Sequence, residues 1–193
     1  ILVLQGRLND AELVAREALL SVIARFGGQS SQAAYVLVAM TQVLQEQGRF
    51  AEAVQLGTLA VRAFEAAGAV PDAEFLLLAR QSLAAAHVAR ASYDAALLEY
   101  GKIFDAFAAN PEVQSRAAGG SAGWALSLLK TGRHAESLAM LERIVPRYAA
   151  RMGPGHVESA VLRGLKGMAL VAGGQRAAAH AEFMQAAPVL VAA

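Results

Sequence analysis

The sequence predicts an all-α fold, an α-α superhelix built from antiparallel helix pairs. Three observations lead there. A six-residue phrase recurs five times at nearly constant spacing, small residues stand at fixed offsets on both sides of it, and no segment sustains the apolar–polar alternation of a strand. The phrase reads GRLNDA from Gly6, GRFAEA from Gly48, ASYDAA from Ala91, GRHAES from Gly132 and GQRAAA from Gly174, at separations of 42, 43, 41 and 42 residues. Its first residue, glycine in four of five copies, suits the tight turn that ends one helix and starts another.

Each helix can then be justified in chain order. The first, over 8–25, follows the opening phrase and carries Leu8, Ala11, Ala15 and Ala18 at two, five, nine and twelve residues after the turn. Offsets of five, nine and twelve trace one helical face, and a small residue at the fifth lets another helix approach closely. The second, over 31–47, ends at Gly48 with Thr41 and Met40 seven and eight residues ahead of it. The third, over 50–67, repeats the first with Phe50, Ala53, Gly57 and Ala60. The fourth, over 72–89, follows Pro71, which fits a first helical turn, and carries Ala84 and Leu83 at the seven-and-eight positions. The fifth, over 93–108, presents Tyr93, Ala96, Tyr100 and Ile103.

The sixth, over 112–130, is announced by Asn110 as N-cap and Pro111 in the first turn, and carries Trp124 and Ala125. The seventh, over 134–151, keeps Ser137, Leu141 and Ile144, with His134 in the slot that is aromatic or leucine earlier. RMGPGHVESA, from Arg151, reads as a helix end, a turn and the start of the eighth helix, over 156–172. There Gly167 is the small residue, and Lys166 departs from the apolar pattern, laying its stem along the packed face. The ninth, over 176–191, has Arg176, Ala179, Phe183 and Ala186.

With these positions in hand, the chain resembles the tetratricopeptide (TPR) repeat across essentially all 193 residues. The usual TPR unit is roughly 34 residues. The longer period here is similar to the repeats of kinesin light chain and of many bacterial TPR proteins, whose linkers also carry a Gly-Pro-x-His phrase like Gly153, Pro154, Gly155 and His156. The resemblance implies one right-handed solenoid over 1–193 with units near 1–27, 28–69, 70–110, 111–153 and 154–193. Its truncated first helix and its apolar last residues suggest a fragment of a longer protein. A narrower similarity, over LRGLKGMALVAGGQRAAAHAEFMQAAPVL, is to the repeats that precede a caspase-like CHAT domain. It transfers nothing catalytic, because such a protease needs a cysteine and this chain has none.

The resemblance also implies where a partner would sit: on the concave wall formed by the helix preceding each turn. Transferred by offset, the ligand-facing positions are Tyr35, Val38, Gln42 and Gln45; Leu78, Gln81 and Val88; Leu126 and Lys130; and Met168 and Val171, with Gly119 at one further position. This surface is mostly apolar and lacks the cationic set that clamps a peptide carboxylate. It suits an apolar or amphipathic helix read through spaced anchors. An apolar helical stripe is equally the mark of ordinary core, so both readings stand at this point.

Other chemistries find little footing. The formal net charge of +1 gives no electrostatic case for nucleic acid or an anionic membrane. Zero cysteines exclude disulfides and thiolate sites. His87, His134, His156 and His180 are not paired at metal-ligand spacing. The pairs Gly27–Gly28, Gly119–Gly120 and Gly173–Gly174 follow no strand and lack the phosphate-loop form. Glu12, Glu52, Asp94, Glu136 and Glu182 read as scattered helix-exterior carboxylates, and Arg49 and Arg133 as cations serving the preceding helix C-terminus. The uncharged stretch from Gly27 to Gln45 holds too many Gln, Ser and Thr for a membrane span. The expectation is a cytoplasmic, non-catalytic scaffold without metal or cofactor, binding a protein, a peptide or another domain of its own polypeptide. The alternative is the sensing region of a CHAT-type protease, and a more distant one is a self-associating array.

Overall fold

A computed structural model describes residues 2–110 and 122–192. Among these, a 3-10 turn at Val3–Gln5 precedes nine α-helices: α1 (Leu8–Phe26), α2 (Ser31–Glu46), α3 (Phe50–Ala66), α4 (Glu74–Ala89), α5 (Tyr93–Ala109), α6 (Ala122–Lys130), α7 (His134–Met152), α8 (Val157–Ala172) and α9 (Arg176–Val191). No strand occurs among the described residues. The start of the sixth expected helix, with Pro111, Gly119 and Gly120, lies outside them. The chain divides into two compact units, Ile1–Ala117 and Ala118–Ala193. The first holds α1 to α5 and the second α6 to α9.

The recurring phrase makes a recurring helix stop. Gly48, Ala91, Gly132 and Gly174 all have positive φ, at 74°, 60°, 80° and 76°. That geometry lets two successive N–H groups reach back to the helix end. Gly48 donates to Gln45 O at 3.0 Å and Arg49 to Leu44 O at 2.9 Å; Ala91 donates to Val88 O at 2.9 Å and Ser92 to His87 O at 2.8 Å. This is the Schellman arrangement, which satisfies carbonyls that the helix itself cannot. Helix starts are more varied. Ser30 accepts from Ala33 N–H at 3.2 Å, and His156 Nδ1 accepts from Glu158 N–H at 3.3 Å, so the linker histidine is an N-cap.

Small residues carry the crossings between the helix before each turn and the helix after it. At seven residues before the turn, Thr41, Ala84 and Ala125 are fully buried, and Gly167 is buried too. At five after it, Ala53, Ala96, Ser137 and Ala179 are likewise closed off, and Ala11 nearly so. The two positions face each other: the Ser137 hydroxyl donates to the Ala125 carbonyl at 3.1 Å. Larger side chains fill the space around the crossing. In the first unit Leu37, Phe64, Leu76 and Leu83 share one core cluster. Where a filler is large, its neighbour shrinks. A Cβ on Gly57 would press on Leu83 at 3.2 Å, and one on Gly167 would overlap the Phe183 ring.

One expectation needs correction. Pro71 is not in a first helical turn. It occupies a tight turn closed by Ala73 N–H to Val70 O at 2.9 Å, and α4 begins only at Glu74. Proline's fixed φ suits the second turn position as well as a helix start. Asn110 caps the C-terminus of α5, and its amide donates to the Asp72 carboxylate in that same turn at 2.9 Å. Its proposed role toward the next helix falls outside the described residues.

Two outcomes follow for stability. Ala91 is the only non-glycine with positive φ among the described residues. Left-handed geometry costs an alanine about 1–2 kcal/mol, while glycine's added unfolded-state freedom offsets about half of that. Ala91→Gly is therefore expected to raise stability by roughly 0.5–1 kcal/mol in urea unfolding, and a loss of stability would refute the turn assignment. Gly167→Ala should cost about 1–3 kcal/mol through overpacking. Adding Phe183→Leu should recover much of it, whereas additive losses would mean that the two residues do not share the space.

Candidate partner-binding face

Within each unit the helices that precede the turns pack on one another as well as on their sequence neighbours: α2 on α4, and α6 on α8. The helices that follow the turns make no comparable contact among the described residues. The first set therefore forms the inner side of each unit, and the side chains on its free face are the candidates for recognition.

In the first unit that face is aromatic. Tyr35 of α2 meets Phe64 edge-on at 5.1 Å between ring centres and Phe75 of α4 at 4.6 Å, with interplanar angles of 89° and 79°. Phe64 belongs to the core cluster, so Tyr35 is seated on the interior while its outer edge meets solvent. Tyr35, Phe75 and Leu78 are 41%, 48% and 44% exposed. Gln42 and Gln81 are exposed beside them, and Gln45 is half-buried, its amide donating to Ser82 O of α4 at 3.3 Å. Val88 is half-buried. Val38 is core, 7% exposed within the cluster beneath Tyr35. Phe75 was absent from the transferred positions, yet it lies one turn ahead of Leu78, a spacing that puts both on one helical face.

In the second unit Met168 and Val171 of α8 are exposed at 43% and 49%, Lys130 is exposed, and Leu126 is half-buried on α6. Leu129, one of the neighbouring positions, is buried. Gly119 lies outside the described residues.

The charges are spent elsewhere, and here the sequence reading is revised. Glu12 and Glu182 are not free exterior carboxylates but lie between helices. Glu12 accepts from Gln47 at 2.9 Å and from Arg49 at 2.8 Å, and pairs with Arg16 at 2.6 Å. Hydrogen bonds from Gln47 and then Arg49 hold its carboxyl below the usual carboxylate range. Glu182 pairs with Lys166 at 2.7 Å and Arg163 at 3.1 Å. Lys166 thus brings a charge to a partner in addition to its stem. Arg133 aims forward at Glu136, three residues on, at 2.7 Å, and Arg49 divides between Glu52, three residues on at 2.6 Å, and Glu12 at 2.8 Å. An acid at the third position of a helix fixes the arginine that precedes it, and the preceding helix end is satisfied by backbone N–H groups instead.

A further ionic group joins three helices of the first unit. Arg80 of α4 bonds Glu99 of α5 at 2.8 Å and Glu65 of α3 at 2.5 Å, and Lys102 bonds Glu99 at 2.7 Å. Burial acts to raise the Glu99 carboxyl, but the Lys102 and Arg80 hydrogen bonds outweigh it and hold the group low. Nearby, burial pushes the His87 imidazole below its ordinary value, and its Nδ1 has no partner. No group of three or more His, Asp or Glu converges as a metal site among the described residues.

This arrangement of helices has known counterparts. A Podosopora anserina chain named for kinesin light chain, with nearly identical TPR-like repeats, superposes with TM-score 0.74 and 17% identity, covering 97% of this chain and 89% of that one. A single-substitution variant of it gives 0.75 and 16% over the same shares. BtubC (BKLC) from P. vanneervenii gives 0.72 and 19%, covering 99% of this chain and 76% of that one. The fold is that of the TPR-like repeat proteins. No protein-family model matches the sequence, and no curated protein matches it. Among the described residues of this TPR-like chain, no helix is long and apolar enough to cross a membrane.

The exposed aromatic face over a closed core leads to a contrast at two neighbouring positions. Leu78→Gln should change stability by less than about 0.5 kcal/mol, as surface changes do. Val38→Glu should cost more than about 3 kcal/mol by burying an unpaired charge. Thermal unfolding of both variants checks this, and equal effects would contradict the placement of either residue.

Proposed function

We propose that this TPR-like chain is a non-catalytic protein-interaction scaffold that docks a peptide or amphipathic helix on the free face of the helices preceding its turns. The observation that carries the reading is the Tyr35–Phe75–Leu78 patch: exposed, uncharged and seated through Tyr35 on Phe64. Rigid aromatic anchors lose little conformational freedom on binding and are the residues most often decisive at interfaces. The flanking Gln42 and Gln81 add hydrogen-bonding capacity without charge. The partner that fits is an apolar or amphipathic helix with aliphatic anchors a turn apart, carried by a cytoplasmic protein or by another domain of the same polypeptide. The alternative, a sensing arm of a CHAT-type protease, rests only on the likeness of the last repeat and has no geometric feature of its own.

Selection of displayed helical peptides against the chain tests the proposal. Binders should lose at least about tenfold in affinity with Tyr35→Ala plus Leu78→Gln, a size typical of losing interface anchors. They should be unaffected by Leu98→Gln, at an exposed position of α5, a helix that follows its turn. If every selected peptide is indifferent to the Tyr35 and Leu78 changes, this face is not the docking surface.

A further inference from the structure

The small-residue crossing that joins each helix pair has a weakness: it is the same in every repeat. The helices α2, α4, α6 and α8 all offer a small residue seven before the turn, and α1, α3, α5, α7 and α9 all offer one five after it. Crossing geometry alone therefore does not tell α4 to pair with α5 rather than with another helix of the same kind, in this chain or in a second copy.

One slot beside the crossing does differ between repeats. It is formed by the residue eleven before the turn and the residue eight after it. In the α2–α3 pair it holds Leu37 and Leu56, both packed in one apolar cluster. In the α4–α5 pair it holds Arg80 and Glu99, in contact at 2.8 Å and only 8% and 9% exposed. In the α8–α9 pair it holds Arg163 and Glu182, in contact at 3.1 Å. Arg80 and Arg163 stand 83 residues apart, as do Glu99 and Glu182. In these three pairs the slot holds matched residues, apolar with apolar and cation with anion, while the α6–α7 pair has Ser121 and Met140 at those offsets. Arg80 reads a second neighbour as well. Its contact Glu65 lies seventeen after the turn, where the other repeats have Ile23, Ala108, Ala149 and Val191.

We infer that this slot is a pairing code that keeps neighbouring repeats from exchanging partners, and that Arg80 selects α3 before it and α5 after it. A slip by one repeat would set Arg80 against Leu56 and Glu99 against Leu37, breaking the closed Arg80–Glu99 contact and leaving Glu99 only its exposed neighbour Lys102. Breaking a buried pair is far more harmful than replacing both partners with apolar residues, so the device discriminates between pairings even if it adds little to stability. Single buried polar contacts fix register in coiled coils by the same logic.

The test compares the parent chain with Arg80→Leu, Glu99→Leu and the double variant, which recreates the Leu37–Leu56 slot. Each single change is expected to lower the thermal midpoint by about 10 °C, and the double variant to return within a few degrees of the parent or above it. After dilution from denaturant at high protein concentration, the double variant should give several-fold more dimeric and larger species than the parent by size-exclusion chromatography. Additive single losses, or a double variant that fails to fold, would overturn the matched-slot reading. A double variant that refolds with the parent's size distribution would overturn the pairing code.

Discussion

The constraint on which the structure depends is how close two helices can come. At Ala125 and Ser137 they approach until a side-chain hydroxyl reaches the facing backbone carbonyl at 3.1 Å. Neither helix tolerates bulk at that point, which is why one side is Thr, Ala, Ala or Gly and the other Ala or Ser in repeat after repeat. Close approach in turn demands a short connection. The chain must reverse within a few residues, which the left-handed residue at the turn accomplishes while its neighbours satisfy the helix-end carbonyls. Tight turns, small crossings and the high alanine content are thus one requirement expressed three ways.

Those features were the legible part, because each acts through spacing along the chain. The helices appear within two residues of the ranges expected at almost every end, and the fold class follows. Pro71 escaped because a proline before a helix fits a turn and a first helical position equally well, and only the Ala73 to Val70 bond separates them. Phe75 escaped because offsets transferred from another family's repeats do not include it, although helical spacing from Leu78 does. The binding positions themselves were legible only as places on a face. Whether a place is open depends on neighbours far away in sequence, and Val38 closes while Tyr35, one turn away, stays open.

Ion pairs were the least legible feature. A glutamate eight residues after a turn looks the same on paper whether it faces water or Arg80 on the helix before that turn. Long side chains also reach several ångströms from their backbone positions, so periodicity cannot say where the charge ends up. The repeat frame repairs part of this loss. Once Arg80 and Glu99 are known to meet, the identical offsets of Arg163 and Glu182 become informative, and their contact follows the same geometry.

The aromatic face is a consequence of the close crossing rather than an addition to it. A core built around alanine and glycine has little room for rings: Phe183 fits only because Gly167 has no side chain, and Phe64 fills the space left by small neighbours. Tyr35 rests on Phe64 from outside, and Phe75 rests on Tyr35. A monomer gains little from leaving such a cluster in water, and an exposed apolar patch carries a risk of aggregation. Polar replacements at Tyr35 and Phe75 would remove that risk at small cost to a core that closes beneath them. Under the proposed scaffold reading, the rings serve a contact outside the unit.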